Sequence, residues 1–264
     1  MLDLCIKMVF YSKIMKKIQL YSPFFWTTIL ACLIGCNGNK TPETIRFVTS
    51  AEYPPFEFQE NGVIKGFDID LAELISQELG KKATFQNMKF CSVLPSLLSG
   101  RADAAISTIT ITEARKKNFD FSEPYYFGEI AAVFKNEDPI THTSELTNKK
   151  IACQLGSTME IWLKEHFPKT PITAMDSNPQ AIELLKAGHV NVVVLDSSQA
   201  SVFCAKNPGL SYKIIAQAED GYGIAFVKGS PWVPLMNKAI EKFKANGTLE
   251  QLKSKWITNN SIEN

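Results

Sequence analysis

At 264 residues the chain is long enough for one large core or two modest ones, and 45% hydrophobic with 21% charged residues is ordinary for a folded, water-facing protein. Its 28 Lys and Arg against 27 Asp and Glu leave a net charge of +1, which carries no nucleic-acid footprint, so no nucleic-acid partner is expected.

Lys16 and Lys17 precede an uncharged stretch from Ile18 to Gly35 that turns polar at Asn37. The stretch is near the lower length limit for a membrane span and contains Pro23, so it reads as a secretion signal, with a transmembrane anchor as the weaker alternative. Its end, Leu33-Ile34-Gly35-Cys36, resembles a bacterial lipobox, which implies lipidation at Cys36 and a chain tethered to a bacterial membrane, in the periplasm or at the cell surface. Met15 looks a better start than Met1, leaving 1–14 as an upstream extension, and 37–43 reads as a polar tether. Of six cysteines, Cys91, Cys153 and Cys204 remain in the body; they read as small buried hydrophobes, with a Cys153–Cys204 bridge as a lesser possibility. His142, His166 and His189 are scattered without metal-ligand spacing, so neither metal nor cofactor is expected.

Along the body, Ile45–Thr49 alternates as a strand and is stopped by a loop with two prolines, Ser50 to Phe56. A helix is predicted from near Asp68, with Leu71, Leu74, Ile75 and Leu79 on one face and Gly80 as its stop. A strand at 83–86, a helix at 92–98 and a strand at 102–106 follow, the alternation of a parallel α/β sheet. Next comes Ser107-Thr108-Ile109-Thr110-Ile111-Thr112-Glu113-Ala114-Arg115, in which Thr108, Thr110 and Thr112 share one face of an extended chain. Thr112 is a good N-cap, and Thr110 with Glu113 also spells a capping box, so a short helix carries Arg115 in its first turn, against the helix dipole.

The second half repeats the theme, with strands at 149–154, 172–175 and 190–195 and helices at 156–167 and 179–186. The run Gly100-Arg101-Ala102-Asp103-Ala104 is echoed by Gly188-His189-Val190-Asn191-Val192, so Asp103 and Asn191 read as structural turn residues. A strand at 223–228 is expected to cross back to the first lobe, and two helices with a turn at Asn246-Gly247 close the body.

Taken in order, Tyr53-Pro54-Pro55-Phe56-Glu57-Phe58, Gly66-Phe67-Asp68-Ile69-Asp70-Leu71-Ala72, Gly100-Arg101-Ala102-Asp103-Ala104, Thr110 to Arg115, Phe121-Ser122-Glu123-Pro124-Tyr125-Tyr126 and Gly156-Ser157-Thr158 resemble the solute-binding proteins of polar amino-acid ABC transporters, family 3, and among them the arginine or basic amino-acid binders. The resemblance implies an α/β, type II two-lobed clamp, each lobe a mainly parallel sheet flanked by helices: 44–128 with 224–257, and 129–223, followed by a polar tail at 258–264. It also implies a monomer that captures a free L-amino acid for permease subunits of the transporter, by closing about 128–131 and 221–225. Arg115 would grip the ligand's α-carboxylate with the backbone of Thr108 and with Ser157 and Thr158. Asp196, Thr110 and a carbonyl near Ser107 would hold the α-ammonium, and Tyr53 and Phe90 would sandwich the side chain. Asp68 and Asp103 match the family but read as cap and turn. Ser50 replaces an acidic residue of many basic-amino-acid binders, with Glu52 close by and Gln154 a polar group at the second-lobe face. The aromatic pair Tyr53 and Phe90, Glu52 and Tyr222-Gly223-Ile224 lean towards arginine or another cationic amino acid, with glutamine or a similar polar one behind it. The alternative is an enzyme like the cyclohexadienyl dehydratases, which share this look, with Glu52 or Glu129 as the acid.

Overall fold

A computed structural model describes residues 43–218 and 221–258; the stretch read as a secretion signal, Cys36, nearly all of the expected tether and most of the expected polar tail lie outside the described residues. Beginning at β1 (Thr44–Thr49), the chain forms a ribbon of β2 (Glu52–Tyr53), β3 (Glu57–Glu60) and β4 (Val63–Lys65). It continues through α1 (Phe67–Glu78), β5 (Lys82–Asn87), α2 (Phe90–Leu98), β6 (Ala104–Ala105), the single turn α3 (Glu113–Lys116) and β7 (Phe119–Phe121). It then crosses to a second lobe of β8 (Glu129–Lys135), β9 (Ile151–Gln154), α4 (Thr158–His166), β10 (Ile172–Met175), α5 (Asn178–Lys186), β11 (Val192–Asp196), α6 (Ser197–Lys206) and β12 (Leu210–Gln217). It returns as β13 (Ala225–Val227) and ends in α7 (Trp232–Ala245) and α8 (Thr248–Lys253).

The two sheets are built alike, in the orders β5-β1-β6-β13-β7 and β10-β9-β11-β8-β12. In each, the first three strands pair in parallel and the fourth runs antiparallel to both neighbours. The fourth strand, β13 or β8, enters directly from the opposite lobe rather than through a helical crossover, and a direct entry permits the reversed direction. Apolar clusters cover both faces of the second sheet, which explains why β9 and β11 are apolar runs without alternation. Val192, Val193 and Val194 are fully buried, each contributing about 1.5–3 kcal/mol by its removal from water.

The sequence echo has a structural counterpart. Asp103 Oδ2 accepts the backbone N–H of Arg46 at 2.9 Å, and Asn191 Oδ1 accepts that of Lys150 at 2.9 Å. Both tie the start of a central strand to its neighbour, and both follow a glycine in the left-handed region, Gly100 at φ 69° and Gly188 at 77°. Asp103 adds an ion pair with Arg46, which Asn191 cannot make.

Several expectations are corrected. Asp68 does not cap α1: the N-cap position is Gly66, and the Asp68 carboxylate reaches away to the backbone N–H of Thr108. Thr112 is the cap of α3, accepting the Arg115 N–H at 3.2 Å, and the Thr110–Glu113 capping box does not form because Thr110 lies in the preceding extended segment. The helix placed at 92–98 starts at Phe90. Cys91, in the first turn of α2, is exposed rather than buried, Cys204 is only partly buried, and all three described cysteines are free.

Candidate functional site

The carboxyl ends of the parallel strands in both sheets face one cleft, the place where open α/β sheets put their ligands. Two crossing segments form its floor. Tyr222 donates its N–H to Tyr126 O at 2.8 Å, its carbonyl takes the Tyr125 N–H at 2.9 Å, and Ile111 N–H reaches Gly221 O at 2.9 Å. The threonine-rich segment 107–112 is laced to the second crossover, which is laced in turn to the first, with Ile109 and Ile111 buried beneath.

Alternation in that segment breaks at Thr108, whose φ is +45°. A β-branched residue there costs of order 1–3 kcal/mol unless its surroundings hold it. The holders are Asp68 and Glu57. Asp68 Oδ2 accepts Thr108 N–H at 2.8 Å and the Tyr125 hydroxyl at 2.9 Å, while Glu57 Oε1 accepts the Ser107 hydroxyl at 2.8 Å. The remaining oxygens, Glu57 Oε2 and Asp68 Oδ1, have no other donor among the described residues, and the two carboxyls lie against each other. A proton on Glu57 satisfies both. Burial and then the neighbouring Asp68 hold Glu57 well above the ordinary carboxyl range, and burial lifts Asp68 to about 6.

A raised carboxyl pKa makes the folded state bind more protons than the unfolded one, so stability is highest below the unfolded value and falls as pH rises towards the folded value. The Glu57→Gln variant keeps the acceptor for Ser107 and gains a permanent donor to Asp68. From about pH 5 to 7 the wild type should therefore lose stability relative to this variant by roughly 1.4 kcal/mol per pH unit, as long as Glu57 keeps its proton. Parallel denaturation curves across that interval would show that Glu57 is ionised in the fold.

Arg115 rises from this scaffold into the cleft. Its Nη1 donates to Thr110 O at 2.8 Å, its Nη2 to Gly156 O of the second lobe at 3.1 Å, and its guanidinium lies over the Phe90 ring at 5.9 Å. Burial lowers it to about 10, which leaves it a cation at neutral pH, and no carboxylate among the described residues pairs with it. Facing it is the N-terminus of α4. The Ser157 hydroxyl accepts Glu160 N–H at 3.2 Å and donates to Gln154 O at 2.7 Å, and Thr158 Oγ1 lies 3.2 Å from Thr110 Oγ1. Helix N-terminal amides and an unpaired guanidinium together make a site for a planar anion.

Tyr53, Phe90, Thr108, Thr110, Arg115, Gln154, Ser157 and Thr158 all line one cavity, so eight of the residues singled out by sequence come together. Four do not line it. Ser50 is buried, donating its N–H to the Ser107 hydroxyl at 3.0 Å, and Ser107 in turn is spent on Glu57. Glu52 has an exposed side chain. Asp196 is the N-cap of α6: Oδ1 accepts Ser198 N–H at 2.8 Å and Oδ2 the Tyr222 hydroxyl at 2.6 Å, and burial raises its pKa. Asn178, Met159, Val194, Leu195 and Tyr222 complete the lining. Of these, Tyr222 entered the sequence reading only through its motif, and Asn178 is announced by nothing stronger than an Asn before a proline at a helix start.

The enclosed space is about 20 Å³, the scale of one water, because the lobes are in contact across the cleft. Arg115 on Gly156, Thr110 on Thr158, and the ion pair of Lys89 with Asp176 make those contacts. Anything larger must part the lobes to enter.

A family model described as "Bacterial extracellular solute-binding proteins, family 3" matches residues 45–259. The "Arginine-binding extracellular protein ArtP" of Bacillus subtilis is 34% identical over 236 residues, covering 87% of this chain and 92% of that protein. An ancestral arginine-binding protein solved with arginine has 39% identity and a TM-score of 0.77, covering 81% of this chain and 98% of its own; an ancestral arginine-binding protein solved with glutamine has 39% identity and a TM-score of 0.78, over 82% and 98%. The ancestral amino-acid-binding protein AncCDT-1, described as a precursor of cyclohexadienyl dehydratase, is 34% identical with a TM-score of 0.76, over 81% and 96%.

Proposed function

The chain belongs to the bacterial extracellular solute-binding proteins, family 3, and from that premise we propose that it captures a free L-amino acid, closes on it, and presents it to the permease of an ABC importer. The observation that carries the reading is Arg115, a half-buried cation without a carboxylate partner among the described residues, aimed with the α4 N-terminus into a cleft between lobes. An α-carboxylate meets Arg115, Ser157 and Thr158 from both lobes at once, so it stabilises the closed arrangement more than the open one. Arginine, or another side chain rich in N–H donors, is the ligand class, in keeping with the arginine binders among the relatives. Thr110 on the cavity wall and Asp196 just behind it, held to Tyr222, receive the α-ammonium, with Tyr53 and Phe90 flanking the side chain.

The lobes divide at 128/129 and 223/224, and closure turns on the two crossovers beside Gly128 and Tyr222. The secreted chain acts as a monomer held to its membrane by lipid at Cys36. No described helix is long and apolar enough to cross a membrane.

A dehydratase reading has the AncCDT-1 likeness in its favour, but the chemistry of the cavity favours capture. No carboxylate among the described residues lines it: the Glu52 side chain is exposed, and Glu129 is engaged with Ser197 at 3.3 Å and Gln217 at 2.8 Å in a different cavity. A thermal-shift screen of the secreted chain against the twenty amino acids tests the proposal. A ligand at 100 times its Kd should stabilise the fold by about 2.7 kcal/mol and raise Tm by roughly 5–11 °C. No shift with any of them, together with turnover of prephenate or arogenate, would replace the proposal with the enzyme.

A further inference from the structure

Asn178 opens α5 and lines the Arg115 cavity, yet only 3% of it is exposed. Its Nδ2 donates to Gln199 Oε1 at 2.6 Å, and Gln199, itself fully buried, directs Nε2 at the Glu52 carbonyl at 3.4 Å. A backbone carbonyl only accepts, so Gln199 must turn its amide nitrogen to Glu52 and its oxygen to Asn178; Asn178 must then answer with its own nitrogen. The relay fixes an orientation that neither amide has alone. The one atom it leaves over is Asn178 Oδ1, buried and without a partner among the described residues.

We propose that Asn178 selects the ligand's side chain, its Oδ1 accepting a hydrogen bond from an N–H donor such as a guanidinium, ammonium or primary amide. This rests on the amino-acid reading above. A buried acceptor left unpaired is costly, so a ligand that supplies a donor is favoured and one that presents only oxygen acceptors, as a side-chain carboxylate does, is rejected. The relay also spans the lobes, since Glu52 belongs to the first and Gln199 and Asn178 to the second. Closure therefore sets the acceptor's orientation at the moment the ligand is enclosed, which ties selection to the closed state.

The experiment is calorimetry of the secreted chain, wild type, Asn178→Leu and Asn178→Asp, with arginine, glutamine and norleucine. All three ligands share the α-carboxylate and α-ammonium, and norleucine has no side-chain donor. In Asn178→Leu the preference for arginine and for glutamine over norleucine should fall at least about tenfold while norleucine binding persists. In Asn178→Asp arginine should gain over glutamine by roughly tenfold, because a carboxylate pairs better with a guanidinium than with an amide. An unchanged order of the three ligands in both variants, or an equal loss of all three, overturns the inference while leaving amino-acid capture in place. Failure of the wild type to bind any of them overturns the capture reading and this inference together.

Discussion

Arg115→Ala should cripple capture of every amino acid, whatever its side chain, with affinity falling by roughly 10²–10⁴-fold. The guanidinium is the one group in the cavity whose charge matches the carboxylate common to all of them, and two charge-assisted hydrogen bonds at about 1.5–3 kcal/mol each amount to roughly 10²–10⁴ in Kd. The fold should barely notice. Arg115 sits on the single-turn α3, none of whose residues is buried, and its protein partners are two backbone carbonyls, Thr110 O and Gly156 O, that water can reach once the side chain is gone. Calorimetry and a melting curve on the same sample separate the two effects: lost binding at a Tm within a few degrees of wild type is the expected pair. Arg115→Lys keeps the charge without the planar fork and should recover only part of the affinity. Because burial lowers Arg115 no further than about 10, wild-type binding should be flat from about pH 6 to 8 as far as this group is concerned. Micromolar binding retained by the alanine variant would remove Arg115 from the site.

What the sequence announces and what it conceals follow from how far each interaction reaches along the chain. The Thr112 cap, the Gly80 stop at φ +66° and the turn at Gly247 are set by neighbours within a few residues, and so they are legible. The alternation of strands and helices gave the two sheets for the same reason. The ribbon β2–β4 was missed because strands of two to four residues beside Pro54-Pro55 have no period to read. The strand β8 escapes as well, because it enters directly from the other lobe after β7 and so stands outside the alternation of strand and helix that marks its neighbours. At the site, motif order points to Arg115, Ser157 and Thr158, whose roles are local to α3 and α4. Asp68 misleads because its position at a helix start has the look of a cap, whereas its partner is an N–H 40 residues away. Asn178 depends on Gln199, and Gln199 on a carbonyl 147 residues distant, so the atom we assign to selectivity has no trace in the sequence around it.

The same long-range logic places the largest loss of stability at a residue with no side chain. Gly66 has φ +135°, a conformation that L residues rarely adopt, and a Cβ built there would fall 2.1 Å from Phe56 O and 2.5 Å from Phe56 C. Neither obstacle is free to move. The Phe56 carbonyl accepts Asp68 N–H at 2.9 Å, the Pro55 carbonyl accepts Phe67 N–H at 3.1 Å, and the Phe56 and Phe67 rings pack edge to face at 5.8 Å in the first-lobe core. Gly66→Ala must push β3 away from the start of α1. We expect a cost of at least about 3 kcal/mol, and hence a Tm lowered by roughly 6–12 °C. The damage should also reach the cleft, because Glu57 and Asp68, which together hold Ser107 and the strained Thr108, stand on the two segments forced apart. Affinity should therefore fall at temperatures well below the variant's Tm, where the chain is still folded. A variant that melts lower but binds with unchanged Kd would mean that the carboxyl pair does not set the Thr108 backbone, and that the cleft tolerates a displaced scaffold.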